Sequence, residues 1–546
     1  MMNAEANFVS RMADKLGLDT RFFVPYGCDK AKIALDALAQ PKAKGKLILV
    51  SALTPTPAGE GKTTVSIGLA QGLQAIGKRA ALALREPSMG PVFGRKGGAT
   101  GGGKSSLTPS EAINLHFNGD FHAITAAHNL LAAVIDNALY FRTTRLDPAR
   151  VTWKRVLDMN DRSLRSVVVG LNRQGITRES SFDITPASEI MAVLCLAEDM
   201  EDLRARLDRM VVGFTAGDEA VYASELGVTG ALLAILKDAL MPNLVQSIEG
   251  VPAFVHGGPF ANIAHGCNSV LATRMAIAHA DYAVTEAGFA FDLGAEKFLD
   301  IKCRQTGFAP DAIVIVATIR ALKMHGGTPP DALETPDVDA VRRGLQNLEA
   351  HLDSAARFRR PVVVAVNLFA ASDTPEEIAA VQELCTHRGI RCAVADVFGQ
   401  GGAGSTELAQ AVVEAANEAS PAFTCLYKAE APVEEKLSAV ACGIYGADGV
   451  QLTPAARKKL ALFEKNGLTR LPVCMAKTQN SLSDNPALLG KPKGFTITVR
   501  DFEIANGAGY LVALTGEILR MPALPRVPSA CGIGVAANGS ITGMKG

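Results

Sequence analysis

Residues 47–84, LILVSALTPTPAGEGKTTVSIGLAQGLQAIGKRAALAL, constrain this chain more than any other stretch. The apolar run 47–53 predicts a buried parallel strand. A loop over 54–61 follows, then a small-residue helical pattern over 62–76 stopped by Gly77. Residues 79–84 predict a second apolar strand. Together these make one βαβ unit with a glycine-rich loop at its first strand-to-helix turn. Gly59 and Gly61 let backbone N–H groups approach a polyphosphate with no Cβ in the way. The helix start adds its dipole to that anion site. Lys62 has the reach for the outer phosphates, and the Thr63 hydroxyl suits Mg²⁺. The P-loop pattern asks for Gly, four residues, then Gly-Lys-Ser/Thr, and Thr56 stands where its first Gly belongs. The strand before and helix after supply the context that the strict pattern lacks. An idle Gly/Pro-rich turn with an exposed lysine is the plainer alternative.

At 546 residues the chain is too long for one core, so two or three domains are expected. Lys+Arg and Asp+Glu are both 55, which leaves no global field to attract nucleic acid or an anionic membrane. The longest uncharged stretch, 251–273, carries glycines, prolines and histidines and cannot be a spanning helix. The first twenty residues mix charge with helical spacing and contain no signal peptide pattern. Ten cysteines occur with no CxxC and no zinc spacing, so buried reduced thiols in a cytoplasmic protein are expected.

The fold class expected is α/β: a large P-loop-type nucleotide-binding domain with a mainly parallel sheet, plus smaller α/β domains. The proposed divisions are 1–330, a nucleotide-binding and catalytic domain; 331–420, a second α/β domain; and 421–546, a C-terminal α/β region. Arg85 and Glu86 follow the second strand, where open α/β sheets place ligands. Residues 95–104, RKGGATGGGK, read as a second backbone-rich anion site. His116, His122 and His128 are spaced by six and fall on different faces of a helix, which argues against zinc; Asp120, in a Gly-Asp turn, is the better chemical candidate. A helix is predicted over 122–137 and another over 185–210. Residues 142–165, with the only Trp at 153, read as a solvated connection, and 167–171 as a strand. Further strands are expected at 282–289, 312–317, 361–367 and 391–396, and a helix at 338–356.

Six stretches carry a resemblance to a known family: TPTPAGEGKTT at 54–64, residues 85–103, 114–137 and 255–266, TEAGFAFDLGAEKF at 285–298, and VATIRALKMHGG at 316–327. In these, over essentially its whole length, the chain resembles the formate–tetrahydrofolate ligase (10-formyltetrahydrofolate synthetase) family. The resemblance implies ATP-dependent joining of formate to tetrahydrofolate through formyl phosphate, with Mg²⁺, a monovalent cation such as K⁺ or NH₄⁺ as activator, and a homotetramer. It implies that Pro55, Thr56, Pro57, Ala58, Gly59, Glu60, Gly61, Lys62 and Thr63 hold the nucleotide, Thr63 serving the Mg²⁺. Lys62, Arg85 and Asp120 would act in catalysis, with Arg85 on the formyl phosphate. Glu86, Asp120, Phe369 and Phe398 would bind folate, the two Phe rings enclosing the pterin. Where the family pattern has Trp, this chain has Phe398; Ala370 replaces Pro, Thr100 an Ala and Lys104 a Tyr. A P-loop switch ATPase and a ligase for another small carboxylate are the alternatives.

Overall fold

The structure is a computed structural model that describes residues 2–94 and 99–544. Its frame is built from short apolar runs that alternate between two faces. In strand β1 (Lys46–Ala52), Ile48, Val50 and Ala52 face one side and pack with Val65, Leu69 and Leu73 of helix α1 (Lys62–Ala75). Leu47 and Leu49 face the other side and join a second core. Both faces are covered, so the strands are apolar throughout, as a buried parallel sheet requires. Each such Leu, Ile or Val contributes about 1.5–3 kcal/mol on burial.

The next strands of this sheet are β2 (Ala80–Leu84), β3 (Pro252–Val255), β4 (Tyr282–Glu286), β5 (Ala312–Ala317), β6 (Val362–Asn367) and β7 (Arg391–Ala395). Their order is β3-β2-β4-β1-β5-β6-β7, and every neighbouring pair is parallel. Asn243–Ser247 runs antiparallel beside β3 and carries the hairpin of Phe23–Pro25 and Ala31–Ile33 at that edge. The order reverses at β1: the chain leaves it for β2 on one side and later reaches β5 on the other. Residues 331–420 contribute β6 and β7 to this same sheet. A four-stranded sheet of Gly449–Leu452, Thr496–Ala505, Tyr510–Thr515 and Val473–Ala476 lies towards the C-terminus. The α/β class and the mainly parallel sheet are as the pattern predicts.

Three local expectations need correction. The single helix over 185–210 is two, Glu189–Leu196 and Met200–Asp208. Ser188 accepts from Met191 N at 3.1 Å and Asp199 from Asp202 N at 2.8 Å, so each caps a separate start. The stretch around Trp153 is not a solvated connection: the indole is 6% exposed, stacks on His128 at 4.2 Å and donates to its carbonyl. Residues 167–169 do form a strand, but in a surface hairpin with Arg178–Ser180 that leaves Val168 half exposed. The ten cysteines are free thiols; Cys28, Cys442 and Cys531 are exposed, contrary to the expectation of burial.

One packing feature brings distant segments together. A Cβ at Gly68 would lie 2.3 Å from Val397 Cγ1. The missing side chain lets the loop after β7 lie directly on α1, and the Ser405 hydroxyl donates to the Gly68 carbonyl at 2.6 Å.

Candidate active site

The loop between β1 and α1 is shaped by two glycines and pinned by residues far away in sequence. Gly59 has φ +82° and Gly61 φ +70°, the left-handed region that other residues avoid. Thr54 is held from three sides: its N–H donates to Asn347 Oδ1 at 3.1 Å, its hydroxyl sits 3.0 Å from His351 Nε2, and its carbonyl lies 2.9 Å from His325 Nε2. Burial lowers the basicity of both histidines, His351 to about 4, so they serve as neutral hydrogen-bonding partners. Glu60 turns inward and is 2% exposed. Its carboxylate accepts from Thr56 N at 2.6 Å and from the Thr318 hydroxyl beyond β5. Asn367, the last residue of β6, donates to the Glu60 carbonyl at 3.1 Å. Pro55 and Thr56 are buried in the loop, while Pro57 and Ala58 are exposed at its tip.

Helix α1 opens at Lys62 and Thr63, immediately after Gly61. The Thr63 hydroxyl donates to Glu286 Oε2 at 2.9 Å. Glu286 closes β4, which lies beside β1 and beside β2. Arg85 follows β2, and its Nη2 stands 3.8 Å from Glu286 Oε1. A second guanidinium nitrogen reaches the Pro259 carbonyl at 3.4 Å. Among the described residues, buried Arg85 Nε has no partner. The two oxygens of one buried carboxylate thus face the start of helix α1 on one side and Arg85 on the other. Thr63 and Glu286 form a pair of hard oxygen donors of the kind Mg²⁺ prefers.

Glu86 is 4% exposed, and its Oε2 has no partner among the described residues. Burial, then the nearby Asp120 charge, push its pKa well above the ordinary carboxylate range. Asp120 begins helix α2 (Asp120–Phe141) and is 1% exposed. It pairs with Lys32 at 2.7 Å and accepts from Asn243 Nδ2 at 2.7 Å. His116 and His122 contact each other at 2.9 Å, and His128, its pKa lowered to about 3 by burial, belongs to the Trp153 stack.

Phe369 and Phe398 leave the C-terminal ends of the adjacent strands β6 and β7. Arg320 covers the Phe369 ring at 3.7 Å. Phe398 is 62% exposed and packs on the glycine hairpin: a Cβ at Gly102 would lie 3.2 Å from its ring, and Lys104 N donates to its carbonyl at 2.9 Å. Residues 95–98 of the expected second anion loop lie outside the described residues.

Thr63, beside Lys62, and Arg85 therefore converge on one point, with Glu86 next in the chain. The two phenylalanines border the same end of the sheet from the β6 and β7 side. Sequence reasoning missed Glu286, Thr318 and Asn367. The signal for Glu286 was an acidic residue closing an apolar strand; the other two carry no pattern of their own.

Comparison with known proteins covers the whole length. A family model described as formate–tetrahydrofolate ligase matches residues 1–545. A formate–tetrahydrofolate ligase of Paracoccus denitrificans (strain Pd 1222) is 54% identical over 541 residues, 98% of this chain and 97% of the relative. One from Methylobacterium sp. (strain 4-46) is 54% identical over 543 residues, with the same shares covered.

Proposed function

The chain belongs to the formate–tetrahydrofolate ligase family, and we propose that the cleft at the C-terminal ends of β1, β2 and β4 joins formate to tetrahydrofolate through formyl phosphate. The protein is an ATP-dependent ligase of formate and tetrahydrofolate. Formate resists attack because its charge repels a nucleophile and oxide is a poor leaving group. Phosphorylation removes both obstacles. A formate oxygen attacks the γ-phosphorus and ADP departs with the electrons of the broken bond. N10 of the folate then attacks the formyl carbon, phosphate leaves, and N10 gives up its proton.

The observation that supports this reading is the sharing of Glu286 by Thr63 and Arg85. Phosphoryl transfer needs positioning and charge neutralisation more than covalent help. The backbone N–H groups around Gly61 and the Lys62 ammonium hold the outer phosphates. Arg85, whose planar fork suits a dianion, holds the transferred group and then the tetrahedral oxyanion. Thr63 and Glu286 would hold the Mg²⁺ that accompanies ATP, and the ion would supply phosphate charge neutralisation there. The pterin would lie between Phe369 and Phe398, towards Glu86 and Asp120. Activation by K⁺ or NH₄⁺, a homotetrameric state and a cytoplasmic setting belong to the same proposal and rest on the family resemblance. Among the described residues no helix is long and apolar enough to cross a membrane.

The test is direct. Purified protein with MgATP, formate and tetrahydrofolate should release one ADP per 10-formyltetrahydrofolate formed. ATP consumption that persists without formate would point to a switch ATPase, and turnover with another small acid in preference to formate would move the reading to that acid.

A further inference from the structure

Resting on the reading above, we infer that Glu286 is a positioning residue that fixes Arg85 over the phosphate loop and ties it to the metal end of the site. Three geometric facts carry this. Glu286 is 3% exposed, and its two oxygens are divided between two jobs: Oε2 accepts from Thr63 at 2.9 Å and Oε1 faces Arg85 Nη2 at 3.8 Å. Among the described residues the Arg85 side chain has few other holds, with one contact to the Pro259 carbonyl at 3.4 Å and a buried Nε that has no partner. The missing side chain of Gly288 leaves room for the guanidinium, because a Cβ there would lie 2.8 Å from Arg85 Nη1. A flexible side chain in that setting takes its direction from the nearest fixed charge, and Glu286 is fixed because it ends a strand paired on both sides.

The arrangement makes the two ends of the site interdependent. A cation drawn to Thr63 and Glu286 meets the same carboxylate that aims Arg85, so loss of the carboxylate charge should disturb both metal-dependent nucleotide binding and the Arg85 step. Supporting groups of this kind typically cost about 10–100-fold when removed.

Guanidinium rescue separates this role from a merely structural one. Arg85→Ala protein, assayed in MgATP, formate and tetrahydrofolate, should regain several-fold activity when guanidinium chloride is added at non-denaturing concentration. Arg85→Ala/Glu286→Gln should gain nothing, because the carboxylate that seats the free cation is gone. Glu286→Gln alone should lower kcat about 10–100-fold. It should also shift to higher concentration the Mn²⁺ titration of ATP binding, followed by Mn²⁺ electron paramagnetic resonance without turnover. In the Arg85→Ala background the same change should lower kcat little further. Equal rescue in the single and double variants, or fully multiplicative losses, would overturn the inference while leaving the ligase reading intact. Absence of formate-dependent product from the wild-type protein would instead overturn the ligase reading.

Discussion

Replacing Gly61 by Ala should damage the loop after β1 by an amount that can be worked out from its surroundings. Gly61 has φ +70° and ψ +26°, and a side chain in that region costs about 1–2 kcal/mol. The new Cβ would stand 2.6 Å from Asn367 Nδ2, well inside contact distance, so the amide must move. Moving it breaks the bond from Asn367 to the Glu60 carbonyl, a loss of about 1 kcal/mol. The total is about 2–3 kcal/mol against the native loop. A displacement of about 1 Å at a phosphate-positioning group costs roughly a hundredfold in rate. The assay is kcat/KM for ATP, with urea unfolding followed by circular dichroism. Asn367→Ala supplies the control: alone it loses the hydrogen bond, but in the Gly61→Ala background that bond is already broken. The double variant should therefore cost about 1 kcal/mol less than the two single losses added together. Strict additivity, or a Gly61→Ala protein with wild-type ATP kinetics and an unshifted urea midpoint, would refute this account of the loop.

Other substitutions test other parts. Lys32→Met leaves the Asp120 carboxylate buried and without its cation, and should cost about 3–5 kcal/mol in urea unfolding, partly recovered by adding Asp120→Asn. Asp158 is pushed up to about 6 by burial, although Ser88 and Met89 donate to it. An acid whose folded pKa is raised supports the fold at low pH and loses that contribution as pH rises from about 4 through 6. Asp158→Asn should therefore match the wild type near pH 4 and exceed it in stability by up to about 3 kcal/mol at pH 7, read from paired unfolding curves. Phe398→Ala should raise KM for tetrahydrofolate roughly tenfold and leave KM for ATP unchanged, because stacking contributes about 1 kcal/mol beyond the lost area; an unchanged folate KM would remove Phe398 from the pterin site.

The parts of the fold legible in sequence were those with a period. The run 47–84 predicted β1, α1 and β2 nearly to the residue because both strands are buried on both faces and Gly77 ends the helix. The helix Val338–Ala356 was equally clear from its one apolar stripe. The break within 185–210 was not, because the choice between one helix and two lay in the capping bonds of Ser188 and Asp199, and both residues are also tolerated inside helices. Site residues divided in the same way. Lys62, Thr63 and Arg85 sit beside local signatures. Glu286, Thr318 and Asn367 owe their roles to the order β4-β1-β5-β6, which sequence alone does not display. The partnership of Lys32 with Asp120 likewise joins residues on an edge hairpin and on α2, with no local mark of either on the other.

The supports of the loop after β1 have a consequence for the birth of the protein. Thr54 waits for His325, Asn347 and His351, and Glu60 waits for Thr318 and Asn367. A nascent chain still on the ribosome carries the loop after β1 long before it carries the groups that give that loop its shape. No emerging polypeptide that stops short of Asn367 owns a finished cradle, so under the proposed reading the loop takes its ATP-ready shape only once most of the central sheet has been made.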